Sequence, residues 1–116
     1  MGKYKFGFTG QSNVENRFSQ SGYKVNVLFS WWLPEEMTYF GEQLLLSTIE
    51  KDFYLEEKLD GITEMREFDE NQKKYIVRSL YNVKKDYLEK FPKFNVKEPW
   101  NLGWKKLYFV EILIND

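Results

Sequence analysis

The chain has 116 residues, of which 42% are apolar and 30% charged, a net charge of −1, and neither Cys nor His. This length and balance describe one folded domain that can bury a core without disulfides or metal staples. The two missing residue types exclude thiol catalysis, Ser-His-Asp triads and zinc held by Cys or His, which leaves carboxylates, Tyr, Lys, Arg or a hard metal ion to carry any chemistry.

Residues 3–9 alternate: Tyr4, Phe6 and Phe8 fall on one face and Lys5, Gly7 and Thr9 on the other. That is the pattern of a strand buried on one side. Gly10–Asn13 is a turn, and Ser12 or Asn13 can cap a short helix over Val14–Ser19 that carries Arg17. Tyr23–Trp31 returns to strand character, with Val25, Val27 and Phe29 expected on one face. Pro34 followed by Glu35 and Glu36 marks a helix start. The spacing of Met37, Phe40, Leu44 and Thr48 predicts a helix running to about Phe53.

Asp60-Gly61 reads as a turn. Asp69 can cap a helix over Glu70–Lys90, whose Ile76, Leu80, Val83 and Tyr87 form an apolar stripe. Phe91-Pro92 ends it, because the residue before proline avoids helical angles. Residues 92–104 form a loop, and Lys106–Ile114 a closing apolar strand. The expected architecture is a single α+β domain over residues 1–116, with a small mixed or antiparallel sheet of about three strands flanked by helices. No signal-peptide pattern and no bilayer-length apolar run is present, which predicts a cytoplasmic protein without a membrane partner. Fourteen Lys against three Arg, with no Ala, fit an AT-rich coding bias of the viral or low-GC bacterial kind, so that cytoplasm would be the host's for a virus.

Charge is uneven. Residues 1–33 carry four basic and one acidic side chain, residues 34–70 three and twelve, and residues 71–116 ten and five. Two basic segments flank an acidic one; the basic segments suit phosphate contacts, and mixed solvated helix faces would look the same.

Three positions stand out for chemistry. Gly7 interrupts a strand between Phe6 and Phe8, where a glycine marks close approach by a ligand or by backbone, or a bulge. Arg17 has the planar, permanent charge that clamps phosphate, and is otherwise an exposed charge. Glu42 is turned about 160–200° from Phe40 and Leu44, at about 100° per helical residue, and borders Leu45 and Leu46. A carboxylate so placed can hold Mg²⁺ in a cleft or face solvent as an ordinary surface glutamate.

The run Tyr4-Lys5-Phe6-Gly7-Phe8-Thr9, followed by Arg17, resembles the second strand and following helix of GIY-YIG nucleases, closest to the phage and bacterial subgroup that reads Tyr-Lys-Ile-Gly-x-Thr. Glu42-Gln43-Leu44-Leu45-Leu46 and Gly61-Ile62-Thr63-Glu64-Met65 are similar to later elements of that subgroup, so the likeness spans about residues 4–85. Lys5 stands in the place of the second motif's tyrosine. The family's first strand would precede Tyr4, and Lys106–Ile112 looks like that strand, with Tyr108 at its tyrosine. The order would then be circularly permuted, with the last strand beside residues 3–9.

The resemblance implies a metal-dependent DNA endonuclease. Tyr108 would help to activate water, with Lys5 beside it; Arg17 would stabilise phosphate charge; Glu42 would bind one divalent ion, Mg²⁺ or Mn²⁺; Gly7 and Thr9 would flank the substrate. Two other readings are open. One is a non-catalytic binding protein on the same fold, such as a small viral inhibitor of a host enzyme, with Trp31, Trp32, Trp100 or Trp104 reaching a protein partner. The other is a single-strand nucleic-acid binder that stacks bases on those rings.

Overall fold

A computed structural model describes residues 2–20, 22–41, 43–44, 47 and 65–115. Its elements are β1 (Gly2–Thr9), α1 (Val14–Ser19), β2 (Tyr23–Leu33), a 3₁₀ turn (Glu35–Met37), α2 (helical at 38–41, 43–44 and 47), β3 (Met65–Phe68), α3 (Glu70–Lys90), two further 3₁₀ turns and β4 (Lys105–Asn115). The architecture is α+β, with four antiparallel strands in the order β2-β4-β1-β3. The expected small antiparallel sheet of about three strands is observed with four. Met65–Phe68 adds a short fourth strand along β1, pairing Gly2 with Phe68 and Lys5 with Met65.

The strand that closes the chain lies inside the sheet. β4 pairs with β1 from Lys3↔Ile112 to Thr9↔Lys106, and on its other side with β2 from Tyr23↔Asn115 to Leu33↔Lys105. The expected neighbourhood of the first and last strands is therefore observed. Leu107, Tyr108, Phe109 and Val110 are all buried. An unbroken apolar run suits a strand covered on both faces.

One face of the sheet packs on α3, with Tyr4, Phe6, Phe29, Trp31, Leu33, Leu107 and Phe109 meeting Ile76 and Leu80. The other packs on α1, where Tyr108 and Val110 meet Val14 and Phe18. β2 serves both faces because of a bulge. Val27 pairs with Val110, but Phe29 pairs with Phe109, so Leu28 is the extra residue. A bulge shifts side-chain parity. Val25 and Val27 therefore lie toward α1, whereas Leu28 and Phe29 lie toward α3. The expected shared face of Val25, Val27 and Phe29 is corrected on this ground.

α3 begins at a capping box: Gln72 N donates to Asp69 Oδ1 and Asp69 N to Gln72 Oε1, each at 2.8 Å. Lys84 reaches from α3 to the outer edge of the sheet and donates to the Ser30 carbonyl at 3.1 Å. That lysine covers part of an otherwise open strand edge. After α3 the chain is held by rings, with Tyr87 4.9 Å from Phe91 and 5.7 Å from Phe94, and Phe94 6.2 Å from Trp104. The second turn of this loop, Pro99–Leu102, closes at Gly103, whose φ of 71° favours glycine.

Two outcomes follow. Deleting residues 105–116 removes four fully buried core side chains, Leu107, Tyr108, Phe109 and Val110, and the pairing partner of both β1 and β2. Each such side chain is worth roughly 2–5 kcal/mol against a total of about 5–15 kcal/mol. The truncated chain should show no cooperative unfolding transition by circular dichroism; native-like melting would contradict the central place of β4. Tyr4 donates to Glu111 Oε2 at 3.2 Å, and burial, with that carboxylate beside it, pushes the Tyr4 hydroxyl up to about 12. The folded state holds this proton more tightly than the unfolded chain, where tyrosine ionises near 10. The contribution is intact below pH 10 and is lost as pH rises toward 12. Denaturation midpoints should fall across that window less steeply in Tyr4→Phe than in wild type.

Candidate functional site

Three rows of paired residues cross the α1 face from β1 through β4 to β2: Lys5, Val110, Val27; Gly7, Tyr108, Ser30; Thr9, Lys106, Trp32. Lys5, Gly7 and Thr9 share a face, as their alternation in the sequence requires. Tyr108 lies directly over Gly7. A Cβ at Gly7 would sit 2.7 Å from the Tyr108 Oη and 3.0 Å from its Cζ, so the absence of a side chain there is what lets the ring lie down.

α1 closes over this ring. Asn13 caps it, its Oδ1 accepting from Asn16 N at 3.1 Å, and Val14 and Phe18 are its buried residues. Phe18 meets Tyr108 edge-on at 5.5 Å, and the Lys5 ammonium stands 5.6 Å from the Phe18 centroid. Tyr108 is 1% exposed. The structure thus brings Lys5, Gly7 and Tyr108 together around Phe18, with the tyrosine hydroxyl at Gly7 and its ring in the core.

Arg17, next to Phe18 on α1, is exposed and lines a different space. An open groove of about 410 Å³ lies at the end of the sheet. Arg17, Thr9 and Gly10 border it from β1 and α1, Glu35 and Thr38 from the turn into α2, and Lys105 from the start of β4. Thr9 Oγ1 accepts from Gln11 N at 3.1 Å and Thr38 Oγ1 donates to the Glu35 carbonyl at 2.9 Å, which fixes both hydroxyls. Two cations with hydroxyls beside them suit an oxyanion, and the single carboxylate of Glu35 faces the same space. Gly41, in α2, packs on Leu33 and on Phe8, another wall of the groove.

Glu42 and the run 61–64 lie outside the described residues. Among the described residues, no three acidic side chains gather into a group able to hold a metal ion. Lys105, Glu35 and Thr38 were not marked by the sequence. The signal for Lys105 was only the Lys105-Lys106 step at the start of a strand, which places one ammonium on each face. Lys106 donates to the Ser12 carbonyl at 2.9 Å and lies 5.6 Å from the Trp32 ring centroid; burial pushes its ammonium below the ordinary lysine range.

The contact at Gly7 gives a direct test. Gly7→Ala should cost about 1–3 kcal/mol in urea denaturation, as overpacking does. Part of that cost, at least about 0.5 kcal/mol, should disappear in a Tyr108→Phe background, because the closest atom is gone. Equal costs in both backgrounds would contradict the packing of Tyr108 on Gly7.

No helix among the described residues is long and apolar enough to cross a membrane. No protein-family model matches this chain, and no curated protein or solved structure matches it either, so the case for a function rests on these residues and their placement.

Proposed function

We propose that this chain is a metal-dependent endonuclease that hydrolyses DNA phosphodiester bonds, built as a GIY-YIG-like domain whose first-motif strand comes last. The observation that carries the reading is the place of β4. It lies against β1 with Tyr108 in register with Gly7, two residues from Lys5 on the same face, and α1 with Arg17 packs over that face. These are the residues for which the sequence resembles the family, and they come from opposite ends of the chain.

Arg17 and Lys105 supply positive charge where a phosphate would enter the groove, and Arg17 can hold two of its oxygens at once. Lys5 shares the sheet face of Tyr108, and its ammonium stands 5.6 Å from the Phe18 ring that covers that tyrosine. Glu35 and the threonine hydroxyls are oxygen donors of the kind a hard divalent ion accepts, and by the resemblance Glu42 would be its carboxylate ligand. The ion, when bound, neutralises the charge that develops on the phosphate.

The burial of Tyr108 favours a second reading, the same fold used for binding without catalysis. For its oxygen to meet a substrate, Phe18 must swing away, and α1 is only six residues long. Short helices held by few buried side chains open readily.

Cleavage assays on duplex and single-stranded DNA with Mg²⁺ or Mn²⁺ separate the two. The nuclease reading expects metal-dependent nicking that falls about 10²-fold or more in Arg17→Ala and in Tyr108→Phe. It also expects cleavage to be lost in Glu42→Gln with the melting temperature unchanged. A folded protein that cuts neither substrate with either metal would leave the binding reading in its place.

A further inference from the structure

Trp100 is an exposed aromatic on an anchored turn. Pro99 beside it is buried, Trp104 N donates to the Pro99 carbonyl at 3.3 Å, and Trp104 itself packs on Phe94. Yet Trp100 is 49% exposed. Its ring lies 6.1 Å from Trp32 at 60°, and Trp32 in turn faces the Lys106 ammonium. Leaving this much indole in water forgoes stabilisation that full burial would give.

Lys106 is the cation against this pair, and the Glu15 carboxylate lies near enough to act on it. Trp32, Lys106 and Thr9 form one row across the sheet, and Thr9 lines the groove that holds Arg17 and Lys105. With strands about 4.8 Å apart, the backbone of Trp32 lies about 10 Å from that of Thr9. That is the span of about three nucleotides stacked at about 3.4 Å each. Aromatic faces beside cations form a platform on which unpaired bases stack while the phosphates follow the charge. A duplex offers its base edges in the grooves and keeps its base faces covered.

We propose that Trp100 and Trp32 stack the bases of a single DNA strand whose backbone runs along Lys106 to the groove of Arg17 and Lys105. This rests on the nucleic-acid reading above for its ligand but needs no catalysis.

The test is fluorescence anisotropy with a labelled single-stranded oligonucleotide and its duplex, both in EDTA. Wild type should bind the single strand more tightly than the duplex. Trp100→Ala should weaken single-strand binding about 5-fold to 100-fold, the range for one stacked base, and leave the duplex affinity unchanged. Trp100→Lys keeps the site exposed and adds a positive charge, so attraction by charge alone would tighten binding, whereas loss of stacking weakens it. Single-strand affinity unchanged in Trp100→Ala, tighter binding in Trp100→Lys, or a preference for duplex in wild type would each overturn the proposal. Adding Mg²⁺ to the same samples separates this inference from the nuclease reading. Trp100-dependent binding without cleavage retains the platform and removes the nuclease. Cleavage and binding that ignore Trp100 do the reverse.

Discussion

β4 hydrogen-bonds on both sides, to β1 and to β2, and most of the structure depends on that double pairing. Without β4, β1 would keep only the four-residue β3, and β2 would have no partner in the sheet. β4 also divides the interior. Leu107 and Phe109 join the core under α3, while Tyr108 and Val110 join the smaller one under α1. Tyr4 stacks on Phe109 at 5.7 Å and donates to Glu111, so the two strands are also tied through side chains.

The same pairing creates the candidate site. Register sets Tyr108 opposite Gly7, and the missing side chain at Gly7 lets the tyrosine ring lie between the strand and Phe18. Lys105 and Lys106 then emerge on opposite faces at the start of β4. One lines the groove with Arg17, and the other lies against Trp32. A polyanion following these cations would pass from the groove to the aromatic pair without leaving the end of the sheet.

Much of this was legible in the sequence. The alternation of residues 3–9 placed Lys5, Gly7 and Thr9 on one face. Asp69 marked the start of α3, and Phe91-Pro92 its end. The unbroken apolar run at 107–110 marks a closing strand beside residues 3–9, but only the pairing with β2 shows that it is covered on both edges. What was not legible depended on pairing. The bulge at Leu28 has no Gly or Pro to announce it, and it reverses the face of Phe29 relative to Val27. Met65–Phe68 is too short to show alternation, and β1 is what makes it a strand. Arg17 and Lys105 meet in one groove only because β4 returns beside β1, a contact between residues far apart in the chain.

β4 comes last in the chain yet lies directly beside β1, and reconnecting the chain probes whether the sheet depends on that placement rather than on chain order. Ile112 and Lys3 are paired, so a short Gly-Ser linker from Asp116 to Met1 can close a β4–β1 hairpin. New ends can be opened between Leu102 and Gly103, both exposed, where cuts are tolerated. This chain, with β4 now first, should unfold cooperatively in urea at a midpoint close to that of the parent. A reconnected chain that shows no cooperative transition would contradict that dependence on placement.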